Sequence, residues 1–222
     1  MTGGDPSVRE FLIGRDFIGV HPWETLRDDR MIEWSNDRIN EIRRRLEAEP
    51  RLGIGEIGLD RLKEREISPL MREVFETQLK LAFEFNCPVV LHGAKCWGQV
   101  VKAVQRLTIE QSNNPNNRTI PSFLFHGFSR SDGLIPDIVA LGGYISVGPA
   151  VLNDHAVNYR ELVKKIPIER LLVETDRTPE NAATCPGVRE VAAKVAELRG
   201  MTVAELEKLT DENAERFLES CR

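Results

Sequence analysis

The sequence predicts an α/β fold, a TIM-like (β/α) barrel that is incomplete at its N-terminus and has about six or seven strands. Strand-like apolar runs alternate with amphipathic helical stretches, the βαβ pattern of a parallel sheet with crossover helices. The runs are continuous rather than alternating, as expected of parallel strands buried on both faces. Four of them, Leu52-Gly-Ile-Gly-Glu56, Val89-Val-Leu-His92, Phe123-Leu-Phe-His126 and Leu171-Leu-Val-Glu-Thr-Asp176, end on a residue able to bind metal. In a barrel, the carboxyl ends of the strands face the site where ligands sit.

Phe17-Ile-Gly-Val-His21 is the first clear strand, and Pro22 ends it. Ser35 to Glu49 places Ile39, Ile42 and Leu46 on one face among charged residues, an amphipathic helix. The strand ending at Glu56 follows. Pro69 to Phe85 is a long helix with Val74, Gln78, Ala82 and Phe85 on one face, and Asn86-Cys87-Pro88 breaks it before the strand ending at His92. The polar segment Gln111 to Arg118 is a loop of turn formers leading to the strand ending at His126. Gly142-Gly143 turns the chain into Tyr144-Ile-Ser-Val-Gly148, and Arg170 to Thr175 is the last strand. Two helices close the chain: Gly187 to Leu198, then Thr202 to Ser220 with a break expected near Thr210. Thr202 and Glu205 form a capping box that fixes the start of the second.

This reading yields six strands, with Arg9 to Gly14 as a candidate seventh, whereas a closed barrel needs eight. The expectation is therefore a single domain over residues 1–222 that lacks the first one or two barrel strands. A length of 222 residues suits one α/β unit.

The net charge of -5 argues against a broadly basic nucleic-acid surface. It leaves room for a nuclease, because a metal in the cleft can supply the positive charge that a phosphodiester needs. No apolar stretch approaches the roughly 20 residues of a membrane span, and the N-terminus has neither a basic region nor an apolar core of a secretory signal. A cytoplasmic location without membrane contact is the expectation. Cys87, Cys96, Cys185 and Cys221 show no CxxC pair and read as reduced thiols; Cys96, four residues after His92, is not taken as a ligand.

Imidazole and carboxylate ligands together suit zinc, manganese, iron or, with more carboxylate, magnesium. Glu56, His92, His126 and Asp176 are the metal-ligand candidates, each read as sitting where its strand becomes a loop. Taken singly, each has a bland alternative: a packing histidine, a carboxylate on backbone donors, a turn-capping aspartate. Four separate strands placing such residues at one end favour a common centre. His21 also ends a strand and either lines the site or packs a loop. Lys95 either holds a substrate phosphate as a point charge or is a solvated lysine at a helix start. His155 and the run Arg43-Arg44-Arg45 read as surface.

With these residues in place, the chain resembles the TatD family of metal-dependent hydrolases. The resembling segments are Gly19-Val-His-Pro, Gly55-Glu-Ile-Gly-Leu-Asp60, Pro88-Val-Val-Leu-His92, Phe125-His-Gly-Phe-Ser129, Leu171-Leu-Val-Glu-Thr-Asp176 and Asn213-Ala-Glu-Arg-Phe217. They run in order from about residue 17 to residue 218. The resemblance implies a TIM-like barrel with one or two divalent ions (Mg, Mn or Zn) hydrolysing phosphoesters, DNA being the usual substrate. It implies that Glu56 bridges or binds metal, that His92 and His126 serve one ion together, and that Asp176 binds metal and orients or deprotonates the attacking water. Catalysis would then rest on Asp176 and Glu56, with His21 beside the site and Lys95 at a basic, substrate-side position. Family members open with a His-x-His strand; this sequence has four histidines and no such pair, so one metal position is expected to be weakened. Two other readings stand beside the phosphoesterase: an amidohydrolase-like enzyme on a small cyclic amide or ester, and a remnant barrel that oligomerises or binds partners through an open sheet edge.

Overall fold

The computed structural model describes residues 17–26, 31–63, 65–113, 119–176, 181 and 183–219. Six parallel strands form one sheet in chain order: β1 (Phe17–Ile18), β2 (Gly53–Asp60), β3 (Val89–Ala94), β4 (Phe123–Phe125), β5 (Tyr144–Val147) and β6 (Leu171–Val173). The connecting helices are α1 (Met31–Ala48), α2 (Pro69–Phe85), α3 (Trp97–Ser112), α4 (Ile135–Ala140) and α5 (Val157–Lys165), and the chain continues into α6 (Val188–Arg199) and α7 (Val203–Leu218). Among the described residues β1 pairs with β2 alone and β6 with β5 alone, so the sheet is open. The candidate strand Arg9 to Gly14, most of the loop before β4 and Cys221 lie outside the described residues.

Strand alternation divides the sheet into two chemically different faces. Val89, Leu91, Phe123, Phe125, Ile145, Val147 and Leu171 turn toward the crossover helices and join the large core with Phe75, Leu79, Val100, Val104 and Val195. Val90, Leu124, Tyr144 and Leu172 turn the other way, into a smaller cluster closed by Ala214 and Phe217 of α7. Phe217 stacks on Phe17 at 6.0 Å and meets Tyr144 edge-on at 5.9 Å. Two residues further along β3, β4, β5 and β6, the same face carries His92, His126, Ser146 and Glu174. An apolar layer therefore floors a polar layer, and the polar layer lies at the carboxyl ends of the strands.

Local chemistry fixes the elements that carry this arrangement. Ser68 Oγ accepts the Met71 N–H to cap α2, Pro69 occupies the first turn, and Asn86 ends the helix in the left-handed region (φ 48°). Thr202 and Glu205 form the expected capping box on α7. Asn213, fully buried, donates through Nδ2 to Ile168 O (2.7 Å) and Leu171 O (2.8 Å), pinning α7 to the start of β6. The three arginines at 43–45 pair with Glu84, Glu41 and Glu49, a solvated face as expected. His155 is exposed just before α5.

Several boundaries differ from the sequence reading, and β3, read as ending at His92, runs on to Ala94, so His92 lies inside the strand. Helix α1 starts at Met31 rather than Ser35. Helix α7 runs unbroken through Thr210, whose hydroxyl donates to Leu206 O and Glu207 O within the helix and so needs no break to be satisfied. Most important, β2 does not end at Glu56. Its pairing with β3 resumes from Ile57 to Asp60 after a register shift between Ile54 and Ile57, so Glu56 sits at a bulge inside the strand. Bulges re-aim side chains beside active sites. Gly58 holds β2 close to β3 here: at φ 153°, an added Cβ would lie 2.0 Å from the His92 carbonyl oxygen.

The first strand has only two ladder residues, yet Val20 beyond it is buried. Gln78 of α2 pairs its backbone there: its Oε1 accepts the Val20 N–H (2.6 Å) and its Nε2 donates to the Val20 carbonyl (3.2 Å). Replacing it leaves two buried backbone groups unpaired. We expect Gln78→Leu to destabilise the fold by about 2–4 kcal/mol, from about 1–2 kcal/mol per orphaned group, seen as a lower urea midpoint at unchanged slope. A midpoint equal to that of the unmodified protein would refute this role. Among the described residues no helix is long and apolar enough to cross a membrane.

Candidate metal centre

Glu56 is the hub of the polar layer. Its Oε2 lies 3.8 Å from His21 Nε2 and 3.8 Å from His92 Nδ1, and its Oε1 lies 3.4 Å from His126 Nε2. Asp176 Oδ1 approaches the same His126 nitrogen at 3.7 Å. Separations of this size are too long for good hydrogen bonds. They match the spacing of donors around one ion, since two ligands at about 2.1 Å in tetrahedral geometry stand about 3.4 Å apart. Two overlapping groups could hold a metal ion: Glu56, His126 and Asp176, and His21, Glu56 and His92. Within each, the donor atoms all lie within 4.8 Å of one another.

The two strand-borne histidines are oriented from behind by buried carboxylates, in opposite senses. His92 Nε2 donates to Asp60 Oδ2 (2.9 Å), which leaves Nδ1 free toward Glu56. His126 Nδ1 lies 2.5 Å from Glu174 Oε2, a close ion-pair contact off the direction of a good hydrogen bond, which leaves Nε2 toward Glu56 and Asp176. The Ser146 hydroxyl donates to the same Glu174 oxygen. Carboxylates in such positions fix the ring and raise ligand basicity. His92 and His126 thus face different oxygens of Glu56.

His21 differs from both. Burial, with a smaller contribution from neighbouring His92, pushes it down to about 4, so it is neutral. Its Nδ1 accepts the Trp23 N–H (3.2 Å), which places the single ring proton on Nε2, facing Glu56. His21 therefore presents an N–H donor to the centre, consistent with a substrate-side position. Of the two groups, Glu56–His126–Asp176 turns three atoms inward that can ligate once His126 Nε2 gives up its proton, and the other turns two.

The charges are also arranged for cations. Burial alone would lower the His126 pKa, but the carboxylates of Glu174, Asp176 and Glu56 outweigh it and hold it well above the ordinary range. Asp176 is held below the usual carboxylate range, chiefly by the facing His126 ring. Its side chain is 72% exposed at the mouth, on a left-handed turn (φ 51°) that aspartate tolerates. Cys96 Sγ donates to Leu59 O, its thiol is pushed up to about 11, mainly by burial, and it is not part of either group described above. Lys95 is exposed on the turn after β3 and, among the described residues, is not one of the groups converging on Glu56.

A profile of the family described as TatD related DNase matches residues 15–219. The chain belongs to the TatD family of metal-dependent hydrolases. It is 29% identical over 209 residues to the metal-dependent hydrolase YabD of Bacillus subtilis, covering 90% of this chain and 75% of that protein. It is 28% identical over 211 residues to the 3'-5' ssDNA/RNA exonuclease TatD of Pantoea ananatis, with the same coverage. In three dimensions it resembles YjjV, a TatD homologue from Escherichia coli, with a TM-score of 0.69 at 24% identity over 90% of this chain and 74% of that one. An amidohydrolase from Saccharomyces cerevisiae gives a TM-score of 0.71 at 18% identity, covering 90% and 79%. These structural likenesses show that the TatD-family fold here is the TIM-like α/β type, with an open sheet among the described residues.

The sequence reading missed Asp60, Glu174 and Ser146. A signal existed for two of them: Ser146 and Glu174 stand two residues after Tyr144 and Leu172, as His92 and His126 stand two after Val90 and Leu124. Alternation alone assigns the four to one face. Asp60 had no such signal, because the bulge in β2 resets the alternation there.

Proposed function

We propose that this TatD-family protein is a metal-dependent phosphodiesterase acting on DNA, with Glu56, His92, His126 and Asp176 holding one or two divalent ions. The observation that carries the reading is the convergence of imidazole and carboxylate atoms on Glu56 at ligand-like separations, with His92 and His126 oriented from behind by carboxylates. The name of the Pantoea ananatis relative supports nucleic acid as substrate. A bound divalent ion supplies Lewis-acid polarisation of the phosphoryl oxygen and a water of lowered pKa.

The chain's own residues set the rest. Asp176, ionised and exposed at the mouth, orients the attacking water and takes its proton. The His21 Nε2–H, 3.8 Å from Glu56, is placed to donate to a non-bridging phosphate oxygen as negative charge grows there. Lys95 on the exposed rim is a candidate for a neighbouring phosphate.

The test is hydrolysis of a single-stranded oligodeoxynucleotide by protein stripped with a chelator and then reloaded. Activity should vanish on stripping and return with magnesium or manganese. Cleavage undiminished by the chelator would end this reading.

A further inference from the structure

Trp23 is 41% exposed although it stands against the buried heart of the centre. Its ring meets His21 edge-on at 4.9 Å and His92 at 6.3 Å. Its Nε1–H donates to Asp60 Oδ2 (2.6 Å), the oxygen that also holds His92. The indole is thus fixed in place while a large part of its surface remains open to solvent. Lys63 Nζ lies 3.7 Å from the ring centroid, and its backbone N–H rests on the other oxygen of Asp60 (3.3 Å). The segment Arg61-Leu-Lys-Glu-Arg65 carries three cations in a chain of net charge -5. The exposed Leu62 lies within it, its N–H also on Asp60. A fixed aromatic ring with a cation beside it, here Lys63, is how proteins hold single-stranded nucleic acid without reading its sequence.

We propose that Trp23 and Lys63 form a nucleotide subsite next to the metal centre. The indole stacks on the base adjoining the scissile phosphate, and Lys63 leaves the ring to pair with that nucleotide's phosphate. The inference rests on the phosphodiesterase reading and adds to it a preference for a base-bearing, unpaired strand. Asp60 ties the subsite to His92, so base stacking and ligand orientation share one buried carboxylate.

The test uses a short single-stranded oligodeoxynucleotide and versions in which one abasic residue is moved through its positions. With the unmodified protein, one position should raise KM about tenfold when its base is removed, the scale of a single base–aromatic stack. In Trp23→Ala that penalty should disappear, and in Trp23→Phe, which keeps a ring but loses the N–H, it should persist. Metal content of each variant, measured by elemental analysis, reports any loss transmitted through Asp60 and His92. In Lys63→Ala the slope of log affinity against log salt should shrink by about 0.7, one phosphate contact to a single strand. An abasic penalty equal in Trp23→Ala and the unmodified protein overturns the stacking role, and an unchanged salt slope overturns that of Lys63. Both results leave the phosphodiesterase reading intact. Failure of the metal-loaded, unmodified protein to cleave the oligonucleotide at all removes both together.

Discussion

Glu56→Gln should lower hydrolysis about a thousandfold, the equivalent of about 4 kcal/mol of transition-state charge stabilisation. The substitution keeps the shape of the side chain and removes the charge that both ligand groups share. Glu56 is the one residue common to the two, one oxygen turned to His126 and the other to His21 and His92. Steady-state rates on an oligonucleotide, read with metal content per chain, check the outcome. A Glu56→Gln protein that retains metal and turns over at the normal rate would show that the convergence on Glu56 is structural.

Glu174→Gln should weaken metal binding about 10–100-fold while leaving the fold intact, the usual scale for the partner behind a ligating histidine. The physical reason is the tautomer. A carboxylate at Glu174 favours a proton on His126 Nδ1 and leaves Nε2 free for an ion. A carboxamide can donate to Nδ1 instead, which moves the ring proton to Nε2 and closes that ligand position. Calorimetric titration of the stripped protein with manganese measures the change, and circular dichroism reports the fold. Affinity within twofold of normal in Glu174→Gln would show that Glu174 serves packing alone.

Much of this architecture was readable from residue order. The six strands, the capped helices α2 and α7, and the place of His126 just past β4 all follow from local pattern, because continuous apolar runs and capping chemistry are short-range properties. Glu56 was recognised as a ligand candidate but placed at a strand end, since nothing in Gly-Ile-Gly-Glu-Ile-Gly announces a bulge. Glu174 was passed over in favour of Asp176 for a related reason. The last polar residue of the run marks the strand end in sequence, whereas β6 ends at Val173 and Glu174, its N–H still on Val147 O, already turns its side chain to Ser146 and His126. The pairings that orient the centre were out of reach. Asp60 with His92 spans 32 residues, and Gln78 with Val20 spans 58. Such contacts depend on how strands lie side by side, which no local window contains. Trp23 was likewise legible only as the residue after a His-Pro pair until its N–H was seen on Asp60.

The sharing of one carboxylate has a thermodynamic consequence. Were ions held by both groups that include Glu56, they would not fill independently, because occupation by one would draw charge from the shared carboxylate and restrict its rotamer for the other. Whatever the sign of that linkage, reciprocity requires it to be equal in both directions. The dissociation constant of each position would then depend on whether the other is filled, by the same factor in both directions.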